Sequence, residues 1–174
     1  MDEEHHPPGR VRLVVVYRIS IGQESRVSTI DLTQRPPRSP RVRLGGYVIL
    51  PRLIDKCRAT IAGKNGEYHY DCPIDQRFFY FAGIDPAELR AQVEKGLGDG
   101  ELLAWINENS KKKPEEWEIA NWSRYRETVA PGDNESREFV NETMSADGAA
   151  EREDIQSWFD VLDLDDHVTF GGKA

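Results

Sequence analysis

The sequence predicts a mainly α-helical domain, and two observations point to this fold class. From Leu50 onward, apolar side chains recur three or four residues apart in one segment after another, which is the spacing that places them on one face of a helix. Proline, aspartate or glycine stands at the ends of most of these segments, where such residues begin or end helices. We therefore expect a compact bundle of six or seven short helices around an aromatic-rich core.

The N-terminal part of the chain does not fit this helical pattern. Residues 1–9 contain three acidic residues, two histidines and two prolines, a composition that cannot build a core. Apolar residues then alternate from Val11 to Ile21 with the period of two that is typical of a strand. We divide the chain accordingly into an N-terminal extension, residues 1–27, with a tail and one candidate strand, and a single helical domain, residues 28–174.

The first predicted helix follows a proline-rich connection. Residues 34–40 contain three prolines, which a helix interior excludes, so this connection should be extended. Pro51 suits the first turn of a helix, and Gly63 should end that helix. Its apolar face carries Leu50, Ile54, Cys57 and Ile61.

Further helices follow, each with its own boundary signals and its own apolar side chains. They are expected over about residues 74–82, from Asp85-Pro86 to Gly96, from Asp99, from Pro114 to before Pro131, over about residues 136–147 and around Trp158. Their expected core residues are Phe78, Phe79, Phe81, Leu89, Val93, Leu102, Leu103, Ile106, Trp117, Ile119, Trp122, Tyr125, Phe139, Val140, Met144, Ile155, Trp158, Phe159 and Leu162.

The charge of the chain is unevenly distributed. The net charge is −8, which disfavours nucleic acid as a partner because the chain as a whole would repel a phosphate backbone. From Arg10 to Arg58 there are eleven Lys and Arg residues against three Asp and Glu; from Ala59 onward there are twelve against twenty-five. Such asymmetry marks either an anion-binding face or a basic segment that packs against the acidic remainder of its own chain.

Several classes of protein are disfavoured. Cys57 and Cys72 form no Cys-x-x-Cys pair and have no zinc-finger spacing to histidine, so neither a disulfide nor a zinc framework is expected. No apolar run approaches the roughly 18 residues of a membrane span, which predicts a cytoplasmic protein without membrane contact. Phosphate-loop, dinucleotide, zinc-protease and nucleophile-elbow motifs do not occur, and we predict no cofactor.

Two groups of basic residues are candidates for an anion site. Four arginines lie along the extended connection, where several guanidinium forks can meet one phosphate or carboxylate: Arg35, Arg38, Arg41 and Arg43. Arg52 and Lys56 lie one turn apart beside Asp55 on the polar face of the first helix. The alternatives are that the arginines pair with carboxylates of the acidic half and that the helix face is simply solvated.

A third candidate group surrounds the predicted turn at Asn65-Gly66. It comprises Tyr68, His69, Tyr70, Asp75 and Arg77. A histidine near an aspartate has the ingredients of a general base with an orienting acid, although spacing assigns no nucleophile. The alternative is that His69 and the tyrosines hydrogen-bond the turn and cover the core.

A fourth group is acidic and lies near the C-terminus. It comprises Asp160, Asp163, Asp165, Asp166 and His167. The spacing fails the calcium-loop pattern, so no metal is predicted. These carboxylates should form a solvated helix end or complement the basic segment.

The chain resembles a known family through several short motifs. They are Asp31-Leu32-Thr33, Pro36-Pro37-Arg38-Ser39-Pro40-Arg41, Leu44-Gly45-Gly46-Tyr47, Leu50-Pro51-Arg52, Asp55-Lys56, Gly66-Glu67-Tyr68-His69-Tyr70, Asp75-Gln76-Arg77-Phe78-Phe79, Trp105-Ile106 and Trp158-Phe159-Asp160. Over about residues 30–171 these are similar to an uncharacterised bacterial family, domain of unknown function 5069. The resemblance implies a small, mostly helical domain, but it implies no activity, substrate or catalytic residue.

The sequence leaves two hypotheses about function. The first is a noncatalytic binding or interaction module with an Arg/Lys-lined site for an anionic small molecule or a protein partner. The second is an enzyme acting on a small anionic substrate, with His69 as acid or base, Asp75 as its orienter and Arg52 as the substrate clamp. The candidate ligand-binding residues are Arg38, Arg41, Arg52, Lys56, His69, Tyr70 and Asp75.

Overall fold

The computed structural model describes residues 30–174, so the candidate strand at Val11 to Ile21 lies outside the described residues. Within the described part the chain forms seven α-helices, and its β-type pairing is limited to an isolated bridge between Leu44 and Tyr47. The predicted fold class is confirmed. The helices are α1 (Leu50–Ile61), α2 (Pro73–Ala82), α3 (Pro86–Glu94), α4 (Asp99–Asn109), α5 (Glu116–Thr128), α6 (Asn134–Ala146) and α7 (Trp158–Thr169).

Helix α1 is the central element of the fold. Pro51 lies in its first turn, where a missing N–H is tolerated, and Gly63 follows its end with a positive φ of 66°. Nine of its 12 residues are buried, so α1 is covered on all sides rather than on its apolar stripe alone. The alternative interpretation, a solvated polar face on this helix, is therefore wrong.

An aromatic cluster forms the main core beside α1. The rings of Phe81 and Trp122 stack with their centroids 4.8 Å apart, which joins α2 to α5. The ring of Tyr47, from the segment before α1, meets Phe78 edge-on at a centroid distance of 5.3 Å. Offset-stacked and edge-to-face geometries are the arrangements that aromatic pairs prefer, so this cluster holds three elements in register.

Helices α6 and α7 pack through a second, smaller apolar cluster. Its buried members are Val140, Met144, Ala149, Val161 and Leu164. Trp158 packs against the same cluster and donates its backbone N–H to the carbonyl of Val129, which ties the start of α7 to the end of α5. This second cluster therefore joins the C-terminal pair of helices to each other.

The helix boundaries follow the local signals closely. The Asp85 carboxylate caps α3 by accepting from the backbone N–H groups of Ala87 and Glu88 at 2.8 and 3.1 Å. Gly83 ends α2 in the left-handed conformation, with φ 65°. None of the helices in residues 30–174 has both the length and the apolar composition needed to cross a bilayer.

Some aromatic residues expected in the core are exposed. Trp117 and Tyr125 of α5 retain 65% and 60% of their accessible surface, and Phe139 of α6 retains 58%. On α5, Trp122 and Ile119 occupy the face that packs against the aromatic core. The apolar residues of α5 are spread over more than one face, and only one of these faces packs against the core. Their spacing alone therefore overestimates how many of them are buried.

Replacing Phe78 tests the aromatic core. We expect Phe78→Ala to lower the free energy of unfolding by about 3–5 kcal/mol, because a fully buried ring leaves a cavity that neighbours fill only partly. Tyr80→Ala, on the same helix at a side chain that is 77% exposed, should change it by less than about 1 kcal/mol. Urea denaturation of both variants makes the comparison. Equal losses would contradict the assigned core.

Candidate ligand-binding cavity

A cavity of about 630 Å³ opens beside α1. It lies between α1, the loop of residues 62–72 that joins α1 to α2, and helices α6 and α7. Its apolar lining comprises Leu32, Ile74, Phe139, Leu162 and Phe170. Its polar lining includes Arg52, Lys56, Glu67, Tyr68, His69, Cys72, Asp75 and Asp165. This volume lies within the range of small-molecule binding pockets, and mixed walls of this kind are typical of them.

The loop that forms one rim of the cavity is fixed by its own hydrogen bonds. The Asn65 side chain donates to the carbonyl of Tyr68 at 2.9 Å, and the Leu32 N–H donates to the carbonyl of Lys64 at 2.9 Å. Gly66 has φ 55°, and a Cβ there would lie 3.2 Å from the carbonyl oxygen of Leu32. Glycine therefore suits this position both in conformation and in space.

Arg52 reaches the cavity wall from α1 but is fully engaged by α7. Its guanidinium donates to both carboxylate oxygens of Asp166, at 2.5 and 3.0 Å, and both side chains are buried. The hydroxyl of Tyr68 donates to the same carboxylate at 2.7 Å. Burial and this hydrogen bond to Asp166 raise the pKa of Tyr68, so the phenol remains a donor at neutral pH.

Lys56 lies one turn further along α1 and pairs with α2. Its ammonium group lies 2.8 Å from Asp75, whose carboxylate also accepts the backbone N–H of Asp71 at 3.0 Å. Burial raises the pKa of Asp75, and the Lys56 charge opposes that rise. The same ammonium donates to the sulfur of Cys72 at 3.3 Å, so Lys56 joins an acid and a thiol at the start of α2.

Asp55, which is also a buried charged residue of α1, faces the extended connection. Arg38 donates from Nε and Nη2 to its two oxygens at 2.8 and 2.7 Å. Arg38 also donates to Asp99 at 2.6 Å, and Arg58 donates to the other oxygen of Asp99 at 2.8 Å. Although burial alone would raise it, these two arginines hold the pKa of Asp99 below its usual value. This network lies outside the cavity lining.

The structure divides the predicted site residues into two sets. Arg52, Lys56, His69 and Asp75 all line the cavity. Arg38 and Arg41 lie elsewhere and hold carboxylates of the same chain: Arg38 as above, and Arg41 with Asp160 and Asp163 of α7. Tyr70 also points away from the cavity and donates its hydroxyl to the carbonyl of Pro86 at 2.8 Å.

His69 lies at the exposed rim of the cavity, apart from the acid expected to orient it. Among the described residues, its ring forms no hydrogen bond, and Asp75 accepts from Lys56 and Asp71 instead. The contact that general acid–base catalysis by this pair requires is therefore not made within residues 30–174.

Asp165 is a cavity residue that the site prediction did not select. It is half-buried on α7, and it forms no ion pair or side-chain hydrogen bond with the other described residues. Burial raises its pKa, and the neighbouring carboxylates of Asp147 and Asp166 raise it further, while the positive charge of Arg52 acts in the opposite direction. The sequence does contain the acidic cluster, but nothing in its spacing distinguishes this aspartate from its paired neighbours.

The two cysteines differ in access. Cys57 is buried in the core, and burial raises its pKa to about 12. Cys72 lines the cavity and is half-buried, with its sulfur beside Lys56. Both are free thiols.

Within residues 30–174, no group of three or more His, Cys, Asp or Glu side chains is placed to hold a metal ion.

The fold and cavity define a small α-helical domain with a pocket beside a helix whose charged side chains form buried ion pairs with other elements. Residues 34–168 match the model of the family described as domain of unknown function 5069 (DUF5069), and the chain belongs to that family. The resemblance in the sequence motifs is thus confirmed. A search of curated proteins found no match to the chain.

The pair between Arg52 and Asp166 is open to a double-mutant test. We expect Asp166→Ala to lower the free energy of unfolding by about 3–5 kcal/mol, because it leaves a buried guanidinium without its counter-ion. The combined Arg52→Met and Asp166→Leu variant should recover most of that loss. As a control, Asp163→Ala breaks a partly exposed pair and should cost about 1 kcal/mol or less. Equal costs for the two aspartates in urea denaturation would contradict this assignment.

Thiol labelling tests the accessibility of the cavity wall. In the folded protein at pH 8, iodoacetamide should modify Cys72 well before Cys57, because only Cys72 reaches solvent and Cys57 holds its proton. Mass spectrometry of the digested protein identifies the modified residue. Cys72→Ser should abolish the early labelling. Comparable early modification of both thiols would be incompatible with the buried position of Cys57.

Proposed function

We propose that the protein is a noncatalytic binding module whose ligand occupies the cavity beside α1. The observation that carries this proposal is a pocket of about 630 Å³ with apolar walls, in which Asp165 lacks a cationic partner among the described residues. A carboxylate in such a position can fix the orientation of a ligand and select its charge, whereas the apolar walls mainly supply contact area. The proposed ligand is a small molecule with an apolar body and a basic group.

The charges of the cavity support a basic group on the ligand. Arg52 and Lys56 line the wall, but each is already compensated by a buried carboxylate. Glu67 at the rim and Asp165 on the wall form no ion pair with other described residues. A ligand ammonium beside Asp165 would offset the cost of holding that carboxylate half-buried among acidic neighbours.

The cavity offers a separate apolar surface to the body of the proposed ligand. Phe139 and Leu162 reach the cavity from α6 and α7, and Phe170 follows the end of α7. The ring of Phe139 is largely exposed despite its size. Covering this surface with an apolar ligand body would remove it from water and contribute roughly 25 cal/mol for each Å² covered.

The geometry favours this ligand over the anion expected from the basic residues. Arg38, Arg41, Arg52 and Lys56 each hold at least one carboxylate of the same chain. An anion at any of them would compete with a carboxylate that is already in place.

The enzyme hypothesis requires a contact between His69 and Asp75. Asp75 accepts from Lys56 and Asp71 instead, so no observation favours catalysis over binding.

We also propose a cytoplasmic location. Both cysteines are free thiols, and a reducing compartment would maintain them in that state.

A matched series of hexyl compounds tests the proposed ligand class. We expect n-hexylamine to raise the melting temperature more than 1-hexanol, and 1-hexanol more than hexanoate, because the three share one apolar body and differ in head-group charge. Asp165→Asn should weaken hexylamine binding by about tenfold, the value of one charge-assisted hydrogen bond. Asp163→Asn, on the same helix but outside the cavity, is the control and should bind hexylamine normally.

The pH dependence of binding follows from the raised pKa of Asp165. Protonation removes the negative charge that attracts the amine, so hexylamine affinity should fall as pH decreases through that pKa, which lies above the ordinary value of about 3.9. Titration calorimetry between pH 7 and pH 4 measures this change, and Asp165→Asn should remove it. Preferential stabilisation by hexanoate, or full hexylamine affinity in Asp165→Asn, would contradict the proposal.

A further inference from the structure

Arg126 on α5 is a buried cation without a partner among residues 30–174. Its exposed fraction is 8%, and its Nε–H is inaccessible to solvent and reaches no acceptor in the described part of the chain. It also forms no ion pair there, in contrast to Arg52, the other buried arginine, which holds Asp166 in a bidentate pair. An inaccessible donor that lacks a hydrogen bond is rare in folded proteins and requires an explanation.

A second guanidinium lies on α2, the helix that packs against α5 through an aromatic stack. One turn before Arg126 on α5 is Trp122, which stacks on Phe81 of α2 with ring centroids 4.8 Å apart. One turn before Phe81 on α2 is Arg77, an exposed residue that forms no ion pair with other described residues. Burial lowers the pKa of Arg126, and the positive charge of Arg77 lowers it further, with no carboxylate acting against them. The aromatic stack thus joins α2 and α5 one turn away from two cations that form no ion pair with the described residues.

This arrangement is costly without a bound anion. A buried charge that lacks a counter-ion destabilises a protein by several kcal/mol, and a like charge nearby adds to that cost. The chain has a net charge of −8, so carboxylates are in excess over cations. Two arginines of the basic segment draw on that excess: Arg38 and Arg41 each hold two carboxylates.

We propose that Arg126 and Arg77 form a binding site for a phosphate-type oxyanion. The planar guanidinium fork offers parallel N–H donors that match two oxygens of one phosphate group, and two such forks match its double negative charge. The buried fork of Arg126 provides the fixed part of the site, and the exposed side chain of Arg77 closes over the anion from α2. Neither residue lines the cavity beside α1, so this site is separate from the one proposed for a basic ligand.

Inorganic phosphate is the probe for this site. With the full chain and at constant ionic strength, phosphate should bind saturably and raise the melting temperature above its value in chloride. Arg77→Gln should weaken phosphate binding at least about tenfold, since it removes one charged donor group from an exposed position without disturbing the core. Arg124→Gln is the control, because Arg124 is an exposed arginine of α5, the helix that carries Arg126, and this variant should bind phosphate normally.

Arg126→Met provides a second, independent measurement. In phosphate-free buffer this variant should melt at the same temperature as the parent chain or higher, because an apolar side chain replaces an uncompensated charge. Adding phosphate should then raise its melting temperature no further than chloride does. Phenyl phosphate then replaces inorganic phosphate as the probe. Tighter binding of phenyl phosphate would indicate an organic phosphate ester as the ligand, and tighter binding of inorganic phosphate would indicate the free ion. Either result supports the site.

Three outcomes would overturn the proposal. The first is a phosphate effect no larger than that of chloride at equal ionic strength. The second is unchanged phosphate affinity in Arg77→Gln, which would place the anion elsewhere. The third is a marked fall in the phosphate-free melting temperature of Arg126→Met, which would show that the guanidinium is already compensated within the protein.

Discussion

The fold depends on neutralising the charges of α1. This helix is covered on all sides, and yet Arg52, Asp55 and Lys56 are 3–4% exposed. Each has a partner from a different element: Asp166 of α7, Arg38 of the extended connection and Asp75 of α2. Since an unpaired buried charge costs several kcal/mol, these elements cannot shift along α1 independently. The cavity lies where two of these pairs meet the loop, so its position is a consequence of the same constraint.

Local signals in the sequence were sufficient to predict most of the helices. Capping residues such as Asp85 and terminating glycines such as Gly83 act over a few positions, and apolar periodicity identifies the side that packs. Periodicity could not show that the charged side of α1 is buried, because that depends on partners distant in sequence. Arg38 and Asp55 are 17 residues apart, and Arg52 and Asp166 are 114 apart. The uneven charge distribution did indicate such pairing as one of its alternatives.

The candidate site was predictable only in part, for a related reason. Arg52, Lys56, His69 and Asp75 were selected by residue type and do line one cavity. Residue type alone could not separate paired groups from unpaired ones: Asp165 and Asp166 are adjacent, yet only Asp166 accepts from Arg52 and Tyr68. Which carboxylate remains available depends on the rotation of α7 against α1. That rotation is a property of the packed structure, and no local pattern encodes it.

The long separation between Arg52 and Asp166 also has a consequence for how the chain acquires its structure during synthesis. A ribosome that adds about 5–20 residues per second needs on the order of ten seconds to add Asp166, which lies 114 positions after Arg52. Throughout that interval Arg52 has no counter-ion, so its burial is unfavourable until α7 has been made. Complete burial of the charged side of α1 therefore follows the synthesis of α7.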